Sequence, residues 1–296
     1  MFHVDDMLER DKLMSTLSII PLMVVICFTV GCTTTGLSAP ANKNVRIIEQ
    51  ISLASTIEET SGLFCTAKGA LTINDSGNEA KIYRIAANGK ITSTEDVAAE
   101  NNDWEAITAD KDYYYIGDIG NNRGKREDLQ ILKVSRFNHA LVSTIPVKYQ
   151  ANNPASNSAY DHDYDGEALV AKDGHVMLFS KSWKSQLLHV YRISKEGGNE
   201  QLVPIKSIEG LPGLVTGADW SASLNSYLLV GYSVKTFGGF ESFFAMLDPD
   251  FNITFTEPLA LGQVEGVCAH ISGDIWVSQE GSGNNPAKLI KLKLQN

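Results

Sequence analysis

The chain of 296 residues predicts an all-β fold, a single β-propeller of four-stranded blades. Three observations carry that prediction. Beyond Val45 the apolar residues alternate in short runs bounded by Gly, Asn and Asp, and no stretch holds the 3.6-residue period of a helix. The runs recur in a fixed order, each time opening on an acidic or hydroxyl residue, a small residue and an aliphatic one. The small residues of these openings lie 44, 62, 49 and 49 positions apart, and units of four strands at that period are the mark of a propeller.

Each blade is read from its opening. The five openings are Ser61-Gly62-Leu63, Glu105-Ala106-Ile107, Glu167-Ala168-Leu169, Thr216-Gly217-Ala218 and Glu265-Gly266-Val267. Second strands follow at 70–74, 113–117, 175–180, 226–231 and 274–278. Third strands follow at 81–86, 129–134, 187–193, 243–247 and 288–294. The last unit has no fourth strand of its own, whereas a spare strand at 45–53 precedes the first. Pairing that N-terminal strand with 289–294 closes the ring and removes the exposed edges of a linear array. Five repeats are detected. A sixth blade has room only in the gap of 62 residues, where Gln150–Asp163, rich in Asn, Ser, Asp and Pro, reads instead as an insertion loop.

Ahead of the repeats, Leu17–Val30 is an apolar run of 14 residues, short of the about 20 needed to span a bilayer. It reads as the apolar region of a signal peptide. Thr29-Val30-Gly31-Cys32 follows and resembles the lipobox of bacterial lipoproteins, so Cys32 is the candidate lipidation site. The expected division is a lipoprotein signal peptide at 1–32, a polar tether at 33–44 and the propeller at 45–296. The resulting expectation is a monomer in the cell envelope, held to a bacterial membrane through a lipid anchor. A cleaved ordinary signal and a retained anchor helix are the alternatives. Within the folded part only Cys65 and Cys268 remain, read as two buried free thiols in preference to one disulfide, because a single pair is no framework.

The charge then narrows the function. With 35 acids against 25 bases the chain carries −10, and no basic run offsets it, which argues against nucleic acid as a partner. In a blade the start of the inner strand and the end of the second share one edge. That places Glu105, Glu167, Glu265, Ser61 and Thr216, with Asp75, Asp118, Lys181, Tyr232 and Gln279, around one mouth of the channel. Converging carboxylates need relief from a cation, from Lys181 or from protonation. Hard oxygen ligands without paired His favour Ca2+, and Mg2+ less, over zinc. Carboxylates that only cap backbone or join blades are the alternative.

A second acidic run, Asp161-His162-Asp163-Tyr164-Asp165-Gly166, has the opening order of an EF-hand loop. Lys172 stands where its final Glu belongs, so only a looser calcium loop through Asp161, Asp163 and Asp165 is expected, with a solvated insertion as the alternative. His162 reads as an exposed bystander. Trp104, Trp183 and Trp220 are read first as packing between blades and second as an aromatic wall for a ring-shaped ligand.

The segments Asn74-Asp75-Ser76-Gly77-Asn78, Asp103-Trp104-Glu105-Ala106 and Gly117-Asp118-Ile119-Gly120-Asn121-Asn122 resemble those of secreted bacterial β-propeller proteins. More distantly, the carboxylate ring is similar to that of regucalcin and gluconolactonase-like propellers and of phytase-like ones. The lactonase likeness implies one divalent cation held by Glu105, Glu167, Asp219 and Glu265, although the channel Asn residues of those families are missing here. Such a protein would hydrolyse an ester, lactone or phosphoester, with Glu167 or Asp118 as base and Lys181 as charge stabiliser. The rival expectation is a non-catalytic propeller that binds a small molecule, a glycan, a peptide or another envelope component.

Overall fold

The computed structural model describes residues 43–198, 200–236 and 238–295. The expected signal segment, Cys32 and the expected tether up to residue 42 lie outside them. Among the described residues no helix is long and apolar enough to cross a membrane, and the one helical element is a 3-10 turn at Ser55–Ile57.

Five sheets form the ring. Blade 1 is β2 (Thr60–Thr66), β3 (Gly69–Asn74), β4 (Lys81–Ala86) and β5 (Ile91–Asp96). Blade 2 is β6 (Trp104–Ala109), β7 (Tyr113–Asp118), β8 (Gln130–Ser135) and β9 (Leu141–Tyr149). Blade 3 is β10 (Gly166–Lys172), β11 (His175–Ser180), β12 (Leu188–Ser194) and the short β14 (Lys206–Ile208). Blade 4 is β15 (Leu214–Ser221), β16 (Ser226–Val234), β17 (Phe240–Leu247) and β18 (Ile253–Leu259). Blade 5 takes β19 (Val264–Ala269), β20 (Ile275–Gln279) and β21 (Lys288–Gln295) from the C-terminal end and β1 (Asn44–Ser52) from the N-terminal end. β1 pairs antiparallel with β21 from Asn44↔Gln295 to Ser52↔Lys288, so the ring closes as the spare strand predicted. One strand was not foreseen. Between β12 and β14 the chain crosses to blade 2, where β13 (Glu200–Leu202) adds to β9 in parallel as a fifth strand.

The core is divided by the ring. Five apolar clusters each fill the wedge between two neighbouring blades. The cluster between blades 1 and 2 is built on Ile73, Trp104, Ile116 and Leu132, and the one between blades 5 and 1 on Ile57, Tyr83, Trp276 and Leu289. Two-faced burial of this kind explains the near-continuous aliphatic inner and second strands, and the one-sided alternation of outer strands such as β5 and β18.

Cys65 and Cys268 form a disulfide, with 5.4 Å between their Cα atoms. The expectation of free thiols is corrected here. The two residues lie 203 positions apart in sequence, yet β2 and β19 are the inner strands of the first and last blades, which become neighbours only when the ring closes.

Candidate functional site

Every inner strand carries a β-bulge near its start. The unpaired residue is Gly62 in β2, Glu105 in β6, Glu167 in β10, Thr216 in β15 and Glu265 in β19. A bulge lets a strand re-aim one side chain without losing the ladder on either side. Here it falls on the three glutamates of the repeat. The glycines that follow the bulge in blades 4 and 5 are explained by packing at the axis. A Cβ on Gly217 would lie 2.9 Å from the Glu265 carbonyl oxygen, and one on Gly266 would lie 2.7 Å from Leu63 Cβ. The channel below is consequently almost filled, with a free volume of about 10 Å³, so the mouth is a blind pocket.

That pocket has a volume of about 250 Å³. Its polar wall includes Asp75, Glu105, Glu265, Glu280, Gln263, Asn122 and Lys181, and its apolar wall Tyr160, Trp183, Tyr232, Val234 and Phe240. Of the ten mouth residues read from the repeat, five line it: Asp75, Glu105, Lys181, Tyr232 and Glu265. Glu167 and Thr216 lie one layer down, against the channel. The Ser61 hydroxyl donates to the Glu105 carbonyl oxygen at 2.8 Å. Gln279 turns away to accept from the Gly262 N–H, and Glu280, the next residue, takes the place expected for it.

Charge is settled around Lys181. Its ammonium donates to Glu167 Oε2 at 3.1 Å and lies 5.1 Å from the Trp183 ring and 5.5 Å from that of Tyr232. Burial alone would strip its proton, but Glu167, Tyr232 and Glu265 outweigh that and hold its pKa well above the usual lysine value. The carboxylates face the opposite pressure. Burial, and then the neighbouring charge of Glu167, raise Glu105 well above its usual range. Burial also takes Asp75 up to about 6 and Glu280 to about 9. One ammonium therefore does not neutralise the ring. Glu167 Oε1 is buried without a hydrogen-bond partner.

Among the described residues, the carboxylates that converge closely enough to share a cation are Asp75, Asp103 and Glu105, whose oxygens lie within 4.8 Å of one another. Asp103 stands just before β6, where no strand period marks it. The Gly117–Asn122 loop packs directly on this cluster. A Cβ at Gly120 would fall 2.2 Å from Glu105 Oε1 and 2.6 Å from Asp103 Oδ2, so glycine leaves the space those oxygens occupy.

Several expected site residues are placed elsewhere. Asp118 is fully buried and accepts from Arg126, Asn102, Gln130 and the Asp103 N–H, so its oxygens are committed to holding the loop. Asp219 is separated from the mouth along β15, accepts from the Ala269 N–H at 2.9 Å, and is raised by burial to about 7. Asp161, Asp163 and Asp165 do not converge on one point. Asp161 is exposed, Asp163 accepts from the N–H groups of Lys184 and Ser185, and buried Asp165 accepts from Trp183 Nε1 at 2.8 Å. The acidic run thus orders the Trp183 segment. His162 is buried, its Nδ1 accepting from the Tyr164 N–H, because its ring packs against the loop at Asn122 and Gly124. Trp104 and Trp220 pack within and between blades, which leaves Trp183 as the tryptophan of the mouth.

No protein-family model and no curated protein matches the chain. Among solved structures it is similar to a luciferin-regenerating enzyme, at 9% identity over 85% of this chain and 95% of that one, with a TM-score of 0.41. A putative oxidoreductase (glucose dehydrogenase) from Thermus thermophilus is 11% identical over 84% of this chain and 100% of that one, with a TM-score of 0.47. The WD40 propeller domain of Doa1 is 11% identical over 84% of this chain and 97% of that one, with a TM-score of 0.40. The β-propeller fold of the chain is shown by its own five sheets.

Proposed function

We infer that the chain is an envelope-anchored propeller whose mouth holds a divalent cation and hydrolyses an ester. The observation that carries this reading is the Asp75, Asp103 and Glu105 cluster beside Lys181. Calcium binds oxygens at about 2.4 Å, so two oxygens sharing one ion stand up to about 5 Å apart. A spread of 4.8 Å fits that requirement, and so does a donor set made wholly of carboxylates. When bound, the cation would polarise a substrate oxygen.

The remaining roles belong to the chain's own side chains. Lys181 presents positive charge to the oxygen on which negative charge develops. Glu265, held by Gln263 Nε2 at 2.8 Å, accepts a proton from the attacking water. Glu280, with its pKa at about 9, is protonated near neutrality and returns a proton to the departing alcohol oxygen. Water's hydroxyl joins the acyl or phosphoryl centre, the bond to the alcohol oxygen breaks, and an acid and an alcohol leave. The anchor rests on the apolar run and Cys32. The Cys65–Cys268 disulfide supports a compartment outside the reducing cytoplasm.

The test is elemental analysis of the purified chain, together with hydrolysis of p-nitrophenyl acetate and p-nitrophenyl phosphate in calcium and in chelator. Wild type is expected to retain the cation and to turn over one ester only in its presence. Gly120→Ala, which pushes a methyl group into the carboxylates, should weaken cation binding at least about ten-fold while the ring stays folded. Absence of both bound metal and calcium-dependent hydrolysis would leave the mouth as a non-catalytic binding surface.

A further inference from the structure

A second cavity, of about 360 Å³, adjoins the mouth. Asn122 and Tyr160 line both spaces and form the partition between them, the Tyr160 N–H donating to the Asn122 carbonyl oxygen at 2.9 Å. The two spaces differ in charge. The mouth is walled by Asp75, Glu105, Glu265 and Glu280 around one cation, Lys181, with four aromatic rings, whereas the adjoining cavity carries Arg123, Lys125 and Arg126 against one acid, Asp103. Arg126 is consumed by Asp118, Asp128 and the Gly120 carbonyl oxygen. Arg123 and Lys125 are exposed, and among the described residues neither pairs with a carboxylate, Lys125 donating only to the carbonyl oxygens of Pro154 and Ala155.

The carboxylate cluster straddles this boundary. Asp75 and Glu105 line the mouth, Asp103 lines the basic cavity, and their oxygens meet within 4.8 Å. Below the cluster, the buried Glu167 Oε1 lacks a hydrogen-bond partner at the floor that Lys181 reaches.

We propose that the substrate has two limbs, an oxyanion seated against Arg123 and Lys125 and an uncharged ring seated against Trp183, Tyr232 and Phe240, with the bond to be cut at the Asp75–Asp103–Glu105 cluster between them. This rests on the hydrolase reading above and adds the chemistry of its substrate. The single ammonium of the mouth is already paired with Glu167, so an anion is drawn to the two unneutralised cations of the adjoining cavity. A neutral ring gains from aromatic faces and has nothing to gain from the basic side. Each space is large enough, at about 30 Å³ per water volume, for several heavy atoms.

The test uses the full chain in calorimetric titrations with phenyl phosphate and phenylacetate, which carry both limbs, with benzyl alcohol, which lacks the anion, and with inorganic phosphate, which lacks the ring. In calcium, the two anions are expected to bind at least about ten-fold more tightly than benzyl alcohol. The Arg123→Ala/Lys125→Ala double variant should lose about ten-fold for every anion and leave calcium affinity unchanged. Trp183→Leu should weaken the two ring-bearing anions and leave inorganic phosphate untouched. Anion binding indifferent to the double variant, or benzyl alcohol binding as tightly as phenyl phosphate, would overturn the proposal. Phosphate binding that depends on Arg123 and Lys125 in a chain that takes up no calcium would overturn the metal reading and support the basic seat.

Discussion

Raising the pH without metal should destabilise this protein. Asp75 is moved by burial from 3.8 to about 6 in the folded state. Its folded pKa lies above the unfolded one, so the folded protein holds that proton more tightly. The stabilisation is complete below about pH 4, and it is lost as the pH rises through about 6. A shift of about two units corresponds to about 3 kcal/mol at about 1.4 kcal/mol per unit. For a domain of this size that amounts to about 6 to 12 °C in Tm. Glu280, raised from 4.5 to about 9, extends the decline to about pH 9.

The assay is thermal unfolding across that range, in chelator and in calcium. In chelator Tm should fall between about pH 4 and about pH 7. In calcium the fall should shrink or vanish, because the cation binds the ionised carboxylates that repulsion otherwise penalises. A chelated Tm that is flat or rises over the window refutes the account of the mouth as an under-neutralised ring. A fall that calcium leaves unchanged refutes the cation.

Lys181→Met should cost about 3 to 5 kcal/mol, the usual result of leaving a buried carboxylate without its partner. Glu167→Gln in the same chain should recover much of that loss, and denaturant melts of the two single variants and the double one give the coupling directly. Replacing Cys65 and Cys268 by Ser opens a loop of 203 residues, for which chain entropy gives about 5 kcal/mol. The corresponding Tm loss is about 10 to 20 °C, and a loss below about 2 °C would mean that the β1–β21 pairing alone fixes the ring.

The repeat itself explains why so much of the fold was legible. Each blade must bury both faces of its inner strands, so apolar runs, turn residues and openings return at a nearly constant period, and strand limits read from them fall within a residue or two of β3, β8 and β20. The spare strand before Gly62 predicted closure for the same reason, since an unpaired edge must be covered. β13 escaped notice because three residues that pair in parallel with another blade leave no local period.

The site was legible only in part. Glu105, Glu265, Asp75 and Lys181 were found because they hold fixed places in the repeat. Asp103, Glu280, Tyr160 and Phe240 lie in loops or at the mouth ends of second and third strands, where no period marks them, and Asp118 and Asp165 carry the same residue type with the opposite task. Sequence alone determined the propeller repeat, five blades with room for a sixth, and the ring of acids at one end of the inner strands, and the sheet topology set the count at five. Tertiary structure decided which of those acids share a point in space, because β-bulges and close glycine packing set the direction of a side chain. It also joined Cys65 to Cys268, because residues so far apart in the chain become neighbours only when the ring closes.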